Sequence, residues 1–397
     1  MRKAFQYRLY PTKAQAAFLN QQLWEACDLY NCALQERRDA WKTCRVSLSY
    51  YDQANQLKAM RNEGLVKLAN FSCGQDVLRR VDKTFQAFFQ RLQKGRKAGY
   101  PRFKPSSRYG SITFPTYGDG CKLLDTGKLR LQGAGQIRVR LHRALEGTIR
   151  TLTIKRALNQ WYVCFSVECE AKPLPPSSEE IGIDVGLNSY AVLSDGTEIE
   201  NPRWLRKAHR SLRRKQRQLA RRKRHSHRRR KAVRAVAVAH GKVFRQRNDF
   251  QHKLSRKLVN RHGLIAMENL NIRNMTATAQ GSVEQPGRNV RQKAGLNRSI
   301  LDAAWGLLFQ KISYKAEEAG RILRQPPARN SSQVCLCGAS VPKTLNDRRH
   351  HCTSCGLSGP RDQVSARVIL QRARNWPSDH NVEVVNSSVV REAVCLN

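Results

Sequence analysis

Acidic residues are the scarce component of this sequence. Its 397 residues include 30 Asp and Glu against 73 Lys and Arg, which gives a net charge of +43 at pH 7. Such a chain repels itself unless a polyanion neutralises it, so nucleic acid is the expected partner. The alternative is a basic surface without a polyanionic partner, and a charge of this size disfavours it.

Long apolar runs are also missing. No stretch of about 18 apolar residues occurs, and no basic helix carries a strongly apolar face, so neither a membrane span nor a membrane-surface helix is expected. The first residues, MRKAFQYRLYPTK, lack the apolar run of a signal peptide. We therefore expect a cytosolic protein.

Disulfide bonds are not expected, because the 12 cysteines occur without a secretory signal. Seven lie among apolar neighbours and are expected to be buried thiols: Cys27, Cys32, Cys44, Cys73, Cys121, Cys164 and Cys169. Four others form two pairs, each followed by glycine, and this pattern is typical of a zinc ribbon: Cys335, Cys337, Cys352 and Cys355.

The first cysteine pair has the spacing C-x-C, one residue shorter than the C-x-x-C of the second pair. This spacing strains a tetrahedral chelate. His350 and His351 lie beside the second pair and are alternative ligands. A ribbon held by packing alone, without zinc, is the other interpretation.

Hydrophobic periodicity predicts two kinds of structure in the first half of the chain. Residues 3–9 alternate as a strand, and Pro11-Thr12-Lys13 opens a helical region that extends to about residue 95. Residues 77–92 repeat apolar side chains at spacings of three and four. Short alternating segments then predict a small antiparallel barrel or sandwich, which the opening strand joins. The segment AKPLPPSSEE, residues 171–180, reads as a linker.

Two predicted strands in the second half each carry an acid. Asp184 lies in IGIDVGL and Glu268 in LIAMENLNI. An Asp195-Gly196 turn predicts a hairpin after the first of these strands. Ser299 to Asp302 reads as a capping box at the start of an apolar helix, which makes Asp302 a cap rather than a catalyst. The last residues, from 376, are expected to be a flexible tail.

Buried carboxylates need a cation or a proton. A shared divalent ion supplies the positive charge, and hard oxygen ligands favour Mg²⁺ or Mn²⁺. Two such ions held by three acids can hydrolyse a phosphodiester. Asp362, in GPRDQVSARVIL, stands at the start of a predicted helix and is the third acid. A structural salt bridge at each acid is the alternative.

One segment is extremely basic. Between Arg206 and Arg230, 14 of 25 residues are Lys or Arg and none is acidic, within a region predicted to be helical from 203 to 259. A solvated charged face usually carries compensating acids, so we predict that this region contacts nucleic acid. The predicted contact residues are Arg206, Lys207, Arg210, Arg213, Arg214, Arg217, Arg221, Arg222, Arg228 and Arg229.

The order of the motifs resembles that of the TnpB-type transposon-encoded nucleases, which are compact relatives of the type V CRISPR effectors. The motifs are YRLYPTKAQ, GYPRFK, IGIDVGL, MENL, SSQVCLCG with HCTSCG, and RDQVSARVIL, and they span residues 1 to about 373. Two departures are present. The family has C-x-x-C at Cys335, and D-x-N-A-A where this chain has Asp362-Gln-Val364-Ser365-Ala366; Pro360 also replaces a frequent acid.

The resemblance implies a multidomain α+β protein. An oligonucleotide-binding-type β-barrel (residues 1–11 and 96–172) would carry an inserted helical recognition lobe (12–95). After a linker (173–180), an RNase H-fold, RuvC-like α/β nuclease (181–325 and 358–375) would contain an inserted zinc ribbon (326–357). Asp184, Glu268 and Asp362 would be the catalytic, Mg²⁺-binding acids.

The implied function is an RNA-guided DNA endonuclease encoded by an insertion-sequence-type transposon and associated with the nucleoid in the bacterial or archaeal cytosol. A guide RNA from the transposon end would pair with double-stranded target DNA, next to a short motif that the protein reads. Two alternatives remain: a nuclease-inactive RNA-guided repressor, which retention of all three acids disfavours, and an unguided structure-specific nuclease.

Overall fold

The computed structural model describes residues 1–158, 160–282, 284–344 and 346–375. The predicted tail lies outside the described residues. The chain divides into two compact units: residues 1–170, and the described residues from 171 onward. In the part of the chain that the structure describes, we find no helix with the length and apolarity that crossing a membrane requires.

The first unit contains a seven-stranded antiparallel sheet. Its strands are β1 (Arg2–Tyr10), β2 (Ser111–Phe114), β3 (Cys121–Leu123), β4 (Lys128–Leu131), β5 (Gly135–Arg140), β6 (Thr148–Ala157) and β7 (Gln160–Glu168), in the order β2-β6-β7-β1-β5-β4-β3. The alternation in β1 places Tyr7 and Leu9 in the core. As predicted, the opening strand joins this sheet, which forms a half-barrel with β2 and β3 at its edges.

Three helices follow β1 in the first unit: α1 (Lys13–Cys44), α2 (Tyr50–Asn62) and α3 (Phe71–Gln93). Thr12 caps α1, where its side chain accepts a hydrogen bond from the backbone N–H of Gln15 and the Gln15 side chain accepts one from Thr12 in return. The expectation of buried thiols is wrong for Cys32 and Cys44, which are exposed on α1. The apolar periodicity of one helix does not guarantee burial where no other element covers that side.

The second unit contains a five-stranded mixed sheet. Its strands are β8 (Glu180–Val185), β9 (Ser189–Leu193), β10 (Glu198–Glu200), β11 (Leu264–Met267) and β12 (Ile322–Arg324), in the order β10-β9-β8-β11-β12. The first three form antiparallel pairs, and β8, β11 and β12 run parallel. The predicted Asp195-Gly196 turn joins β9 to β10, and Gly196 has a φ of 92° that favours glycine.

Helices cover both faces of this mixed sheet. The helices of the second unit are α4 (Trp204–Ala220), α5 (His227–Arg261), α6 (Ile272–Met275), α7 (Val290–Ala303), α8 (Trp305–Ala319) and α9 (Arg361–Arg374), of which α8 and α9 pack on opposite faces of the sheet. Ile181 and Ile183 of β8 share a core with Leu308 and Ile312 of α8. On the opposite face, Leu264 and Ala266 of β11 pack against residues of α9.

The predicted capping box at Ser299 is wrong. Helix α7 begins after Asn289 and runs through Ser299, whose hydroxyl donates to the carbonyl of Gly295. Asp302 lies in the last turn of α7 and caps another helix: its carboxylate accepts from the backbone N–H of Leu205 in α4 and forms an ion pair with Arg247 at 2.6 Å. The local pattern could not reveal this partner, because it lies about 100 residues away in sequence.

Candidate nuclease site and cysteine cluster

Asp184 lies on the face of β8 that α9 covers. Side chains alternate along a strand, so Asp184 shares its face with Gly182, and Ile181 and Ile183 point to the other face. A Cβ placed on Gly182 would lie 2.0 Å from the carbonyl oxygen of Ala366, which shows how closely α9 approaches. Only glycine allows this approach, and the approach brings the start of α9 toward Asp184.

Glu268 reaches the same region through the strand register. Strands β8 and β11 are parallel, with Ile183 paired to Met267. The next residues along the two strands are Asp184 and Glu268, at the carboxyl ends of neighbouring strands. The chain after Glu268 is fixed because the backbone N–H of Asn269 donates to the carbonyl of Pro326 at 3.1 Å.

Asp362 is in the first turn of α9, one turn before Ala366. Residues four apart lie on the same side of a helix, so Asp362 shares the side of α9 that packs on Gly182. The guanidinium of Arg361 donates to Asp362 at 2.9 Å and to the carbonyl of Asp347 at 3.0 Å. The three acids predicted from sequence therefore converge from two strands and one helix.

The pKa values of Asp184 and Glu268 are both raised above the ordinary values of these residues. Burial raises the pKa of Asp184 well above the ordinary value for an aspartate, and the negative charges of Glu268 and Asp362 raise it further. The charge of Arg361 opposes this rise. Burial also raises the pKa of Glu268, against a hydrogen bond from Ser331 and the charge of Arg372.

Sequence reasoning missed two residues that hold Glu268. The hydroxyl of Ser331, itself buried, donates to the Glu268 carboxylate. Arg372 of α9 donates to the carbonyls of Pro327 and Arg329 and so fixes the loop that carries Ser331. The polar run Asn330 to Gln333 before the cysteines was a usable signal, although nothing in it names Glu268 as the partner.

The donor set fits a hard divalent cation. Carboxylate oxygens are the ligands that Mg²⁺ and Mn²⁺ prefer, and such an ion would stabilise the charged forms of Asp184 and Glu268, whose pKa values are raised. The carboxylate oxygens are less tightly gathered than the cysteine sulfurs: among the described residues, only the four cysteines bring three or more ligand atoms within 4.8 Å of one another.

The four predicted cysteines form one cluster. The sulfurs of Cys335 and Cys355 are 3.6 Å apart, and those of Cys337 and Cys352 are 3.7 Å apart. Four sulfurs bound to one zinc at about 2.3 Å in tetrahedral geometry would be separated by about 3.8 Å. The cluster could therefore hold a structural metal such as zinc.

The short spacing of the first pair is accommodated by a tighter turn. The backbone N–H of Gly338 donates to the carbonyl of Cys335, three residues back, whereas that of Gly356 donates to Cys352, four residues back. Both glycines have a positive φ, 88° and 71°. The second pair is framed by the antiparallel strands β13 (Arg349–His351) and β14 (Ser358–Pro360).

His350 is not a member of the cluster. It is fully buried, and its Nδ1 lies 2.6 Å from Nζ of Lys343, which also donates to the carbonyl of Ser332 at 2.7 Å. The alternative histidine ligand is thus not needed to complete four donors. Lys343 and His350 instead tie the cluster to the loop that carries Ser331.

The basic segment forms two helices, α4 and α5, separated by residues 221–226. Of the ten cations predicted to contact nucleic acid, all but Arg229 are exposed. Arg229 donates to the carbonyls of Leu219 and Arg222 and closes the turn between the helices. These helices therefore present a dense row of cations to solvent.

Three family models match this chain. The OrfB model of IS605-type elements, described as a "Probable transposase", matches residues 162–279. A "Cas12f1-like, TNB domain" matches 305–369, which includes the cysteine cluster, and a "Helix-turn-helix domain" matches 1–45. In the structure, residues 1–45 form β1 and the single long helix α1.

Two solved structures overlap with the chain at a low level. One is titled "Cryo-EM structure of the Cas12f1-sgRNA-target DNA complex", with 16% identity and a TM-score of 0.32 over 93% of this chain and 99% of that one. The other, of CasPhi-2 (Cas12j) bound to crRNA, has 9% identity and a TM-score of 0.43 over 94% and 98%. TM-scores of this size do not establish a common fold.

Curated relatives match over most of their length. The Escherichia coli K12 protein named "Putative RNA-guided DNA endonuclease InsQ" is 30% identical over 375 residues, covering 93% of this chain and 91% of the relative. A "Putative RNA-guided DNA endonuclease" of Streptomyces pristinaespiralis is 33% identical over 384 residues, covering 93% and 89%. By this full-length similarity, together with the OrfB match and the ordered motifs, the chain belongs to the TnpB-type family of IS605-like transposons.

Proposed function

We propose that this protein is an RNA-guided, divalent-metal-dependent DNA endonuclease. The observation that carries the proposal is the meeting of Asp184, Glu268 and Asp362, where burial and mutual repulsion raise the pKa of Asp184. Acids gathered so that their charges repel one another, with one ion pair from Arg361 to Asp362, are a poor way to stabilise a fold and a suitable way to hold cations. The names of the relatives, which describe RNA-guided DNA endonucleases, support this activity.

Each acid has its own role in this proposal. Asp184, from the central strand of the sheet, would hold the ions together with Glu268 from the neighbouring strand and Asp362 from α9. When bound, the ions would activate water and stabilise the leaving oxygen of the phosphodiester. The hydrogen bond from Ser331 orients Glu268. The hydrogen bond from Arg361 restrains Asp362, and the positive charge of Arg361 partly offsets the negative charge around Asp184.

The mixed sheet supports an RNase H-type, RuvC-like assignment for the second unit. An antiparallel hairpin followed by two parallel strands, with acids at the carboxyl ends of the central strands, is the arrangement that this assignment requires. We likewise propose that the half-barrel of the first unit is an oligonucleotide-binding-type domain with α1, α2 and α3 as its recognition lobe. The cysteine cluster would hold zinc in a structural role, because four protein ligands leave no position for water.

Nucleic-acid binding would rest on backbone contacts. The exposed cations of α4 and α5 can neutralise phosphates without reading bases, and pairing of a guide RNA from the transposon end would supply sequence specificity. A protein that binds the phosphate backbone and leaves sequence recognition to base pairing needs many cations, which accounts for the net charge of +43.

One purification tests the proposal. We expect a discrete structured RNA to copurify, and the complex to cut double-stranded DNA matched to that RNA when Mg²⁺ or Mn²⁺ is added. The Asp184→Ala variant is the matched control and should bind the same DNA without cutting it. Recovery of an equally stable RNA-free protein would overturn the guided mechanism. Cleavage without RNA would favour a structure-specific nuclease, and guided binding without cleavage under any divalent ion would favour a repressor.

A further inference from the structure

The carboxyl-terminal end of α3 carries aromatic rings that the first unit does not bury. Val77, Leu78 and Val81 occupy the core, but the same apolar stripe continues past them into solvent. Phe89 is 53% exposed, and Tyr100, in the loop after the helix, is 45% exposed. The predicted apolar face of residues 77–92 is therefore buried in its first half only.

The rings form an ordered cluster, which we name the aromatic platform: Phe85, Phe88, Phe89 and Tyr100. Phe85 stacks on Phe89 with an interplanar angle of 29°. Tyr100 meets Phe85 and Phe88 edge to face, at centroid distances of 5.8 and 5.5 Å. Phe88 meets Phe89 at 5.3 Å. The rings pack against one another and hold a fixed shape. Binding a ligand should therefore cost these side chains little conformational entropy.

The segment that carries the platform is rich in cations. Residues 83–104 contain seven Lys and Arg and five aromatic residues, and no acid. The nearby Asp82 is paired with Arg37 at 3.1 Å and accepts a hydrogen bond from Gln86, so its charge is already compensated. The guanidinium of Arg37 lies over the inner ring, Phe85, at 5.3 Å.

This combination selects one class of partner. Aromatic faces flanked by cations bind single-stranded nucleic acid, because bases stack on the rings and phosphates meet the charges. A duplex keeps its bases stacked on each other and offers the rings nothing to bind. A second copy of this chain would bring two strongly positive surfaces together, which charge repulsion opposes.

We propose that the aromatic platform stacks unpaired bases of the protein's resident RNA. An exposed aromatic cluster is an aggregation hazard unless a partner covers it for most of the protein's lifetime. The guide RNA is present before any DNA is opened, so it is the partner that can do this. The inference rests on the proposed guided function, and names which part of the RNA this surface holds.

Site-specific photocrosslinking tests the placement. A benzoylphenylalanine at position 89, in the complete ribonucleoprotein purified from cells, should crosslink to unpaired nucleotides of the copurifying RNA. The matched control is the same group at position 24, where Trp24 is equally exposed at 50% but outside the platform. Crosslinks from position 89 only to paired RNA, only to added target DNA, or only to protein would each overturn the proposal.

Chemical probing of the bound RNA supplies the second measurement. In the Phe88→Leu/Phe89→Leu variant, a short run of unpaired bases should become about tenfold more reactive to dimethyl sulfate, because each lost stacking contact weakens base binding by about that factor. The Arg96→Gln/Lys97→Gln variant should instead release RNA at lower salt while its bases stay protected. Unchanged base reactivity in the phenylalanine variant overturns the proposal. Absence of any copurifying RNA would instead overturn the guided function itself.

Discussion

The cysteine cluster and the carboxylate site are both candidate metal sites in the second unit, yet they differ in how complete they are. Four sulfurs lie within 4.8 Å of one another, whereas the three acids converge without gathering to that extent. Two glycine turns place the cysteines locally. Carboxylates repel, and three separate elements place them. We infer that the cysteine cluster is built for stability and the carboxylate site for chemistry.

The largest effect should come from removing one acid. Asp184→Ala, Glu268→Ala and Asp362→Ala should each lower cleavage by several orders of magnitude, because the set acts as a unit in holding the ions. Guided DNA binding should persist, because it depends on many distributed cations. Cleavage rate and binding are measured separately on the same preparations.

Asp302→Asn is the matched control for this prediction. Its carboxylate holds Arg247 and the start of α4, so the change should lower stability while the folded fraction still cuts. If Asp362→Ala cuts normally and Asp302→Asn does not, the third ligand has been assigned to the wrong acid.

The next largest effect should come from the cysteine cluster. Cys352→Ser should reduce bound zinc from one equivalent per chain to well below one, and should lower the melting temperature, since the metal stabilises only the folded ribbon. The exposed Cys32 lies outside the cluster, so Cys32→Ser should change neither quantity. Unchanged zinc in Cys352→Ser would show that the cluster is not the site; the readouts are metal analysis and thermal unfolding.

A smaller effect on cleavage should come from Ser331, which links the cysteine segment to the carboxylate site. Ser331 lies at the entrance to the cysteine segment and donates to Glu268. We expect Ser331→Ala to lower cleavage about tenfold, within the range typical for residues that orient metal ligands. Ser331→Thr should restore most of the rate, and Ser332→Ala, at the adjacent position, should have little effect. An equal loss in both alanine variants would indicate a general loosening of the loop.

The smallest effect concerns stability without divalent ions. In magnesium-free buffer near neutral pH, Asp184→Asn should raise the melting temperature by a few degrees, because it removes a charge that burial and two neighbouring acids oppose. Between its unfolded and its raised folded pKa, the native aspartate holds more protons than the unfolded one, so wild-type stability falls as pH rises. The difference between the two proteins should therefore shrink toward pH 4 and reverse when magnesium is added.

Much of the site could be predicted from sequence because its residues lie in strong local patterns. An acid inside an apolar strand, as in IGIDVGL, is costly to bury in any fold and therefore indicates a functional site. Paired cysteines followed by glycine indicate a metal-binding turn. Asp362 is identified from its place at the start of a predicted helix, and the family resemblance then groups it with the other two acids. Local pattern failed at Ser299 and Asp302, where a plausible capping box proved to be the interior and the end of α7.

The sequence by itself determined the chemistry available to this protein: its overwhelming positive charge, its four thiols and its three acids in apolar surroundings. Only the tertiary structure decided which groups meet. The parallel register of β8 and β11 sets Glu268 beside Asp184, and the glycine at 182 lets α9 bring Asp362 to the same face. Ser331 reaches Glu268 across 63 residues of sequence. Such pairings follow from long-range packing, which periodicity in a short window does not encode.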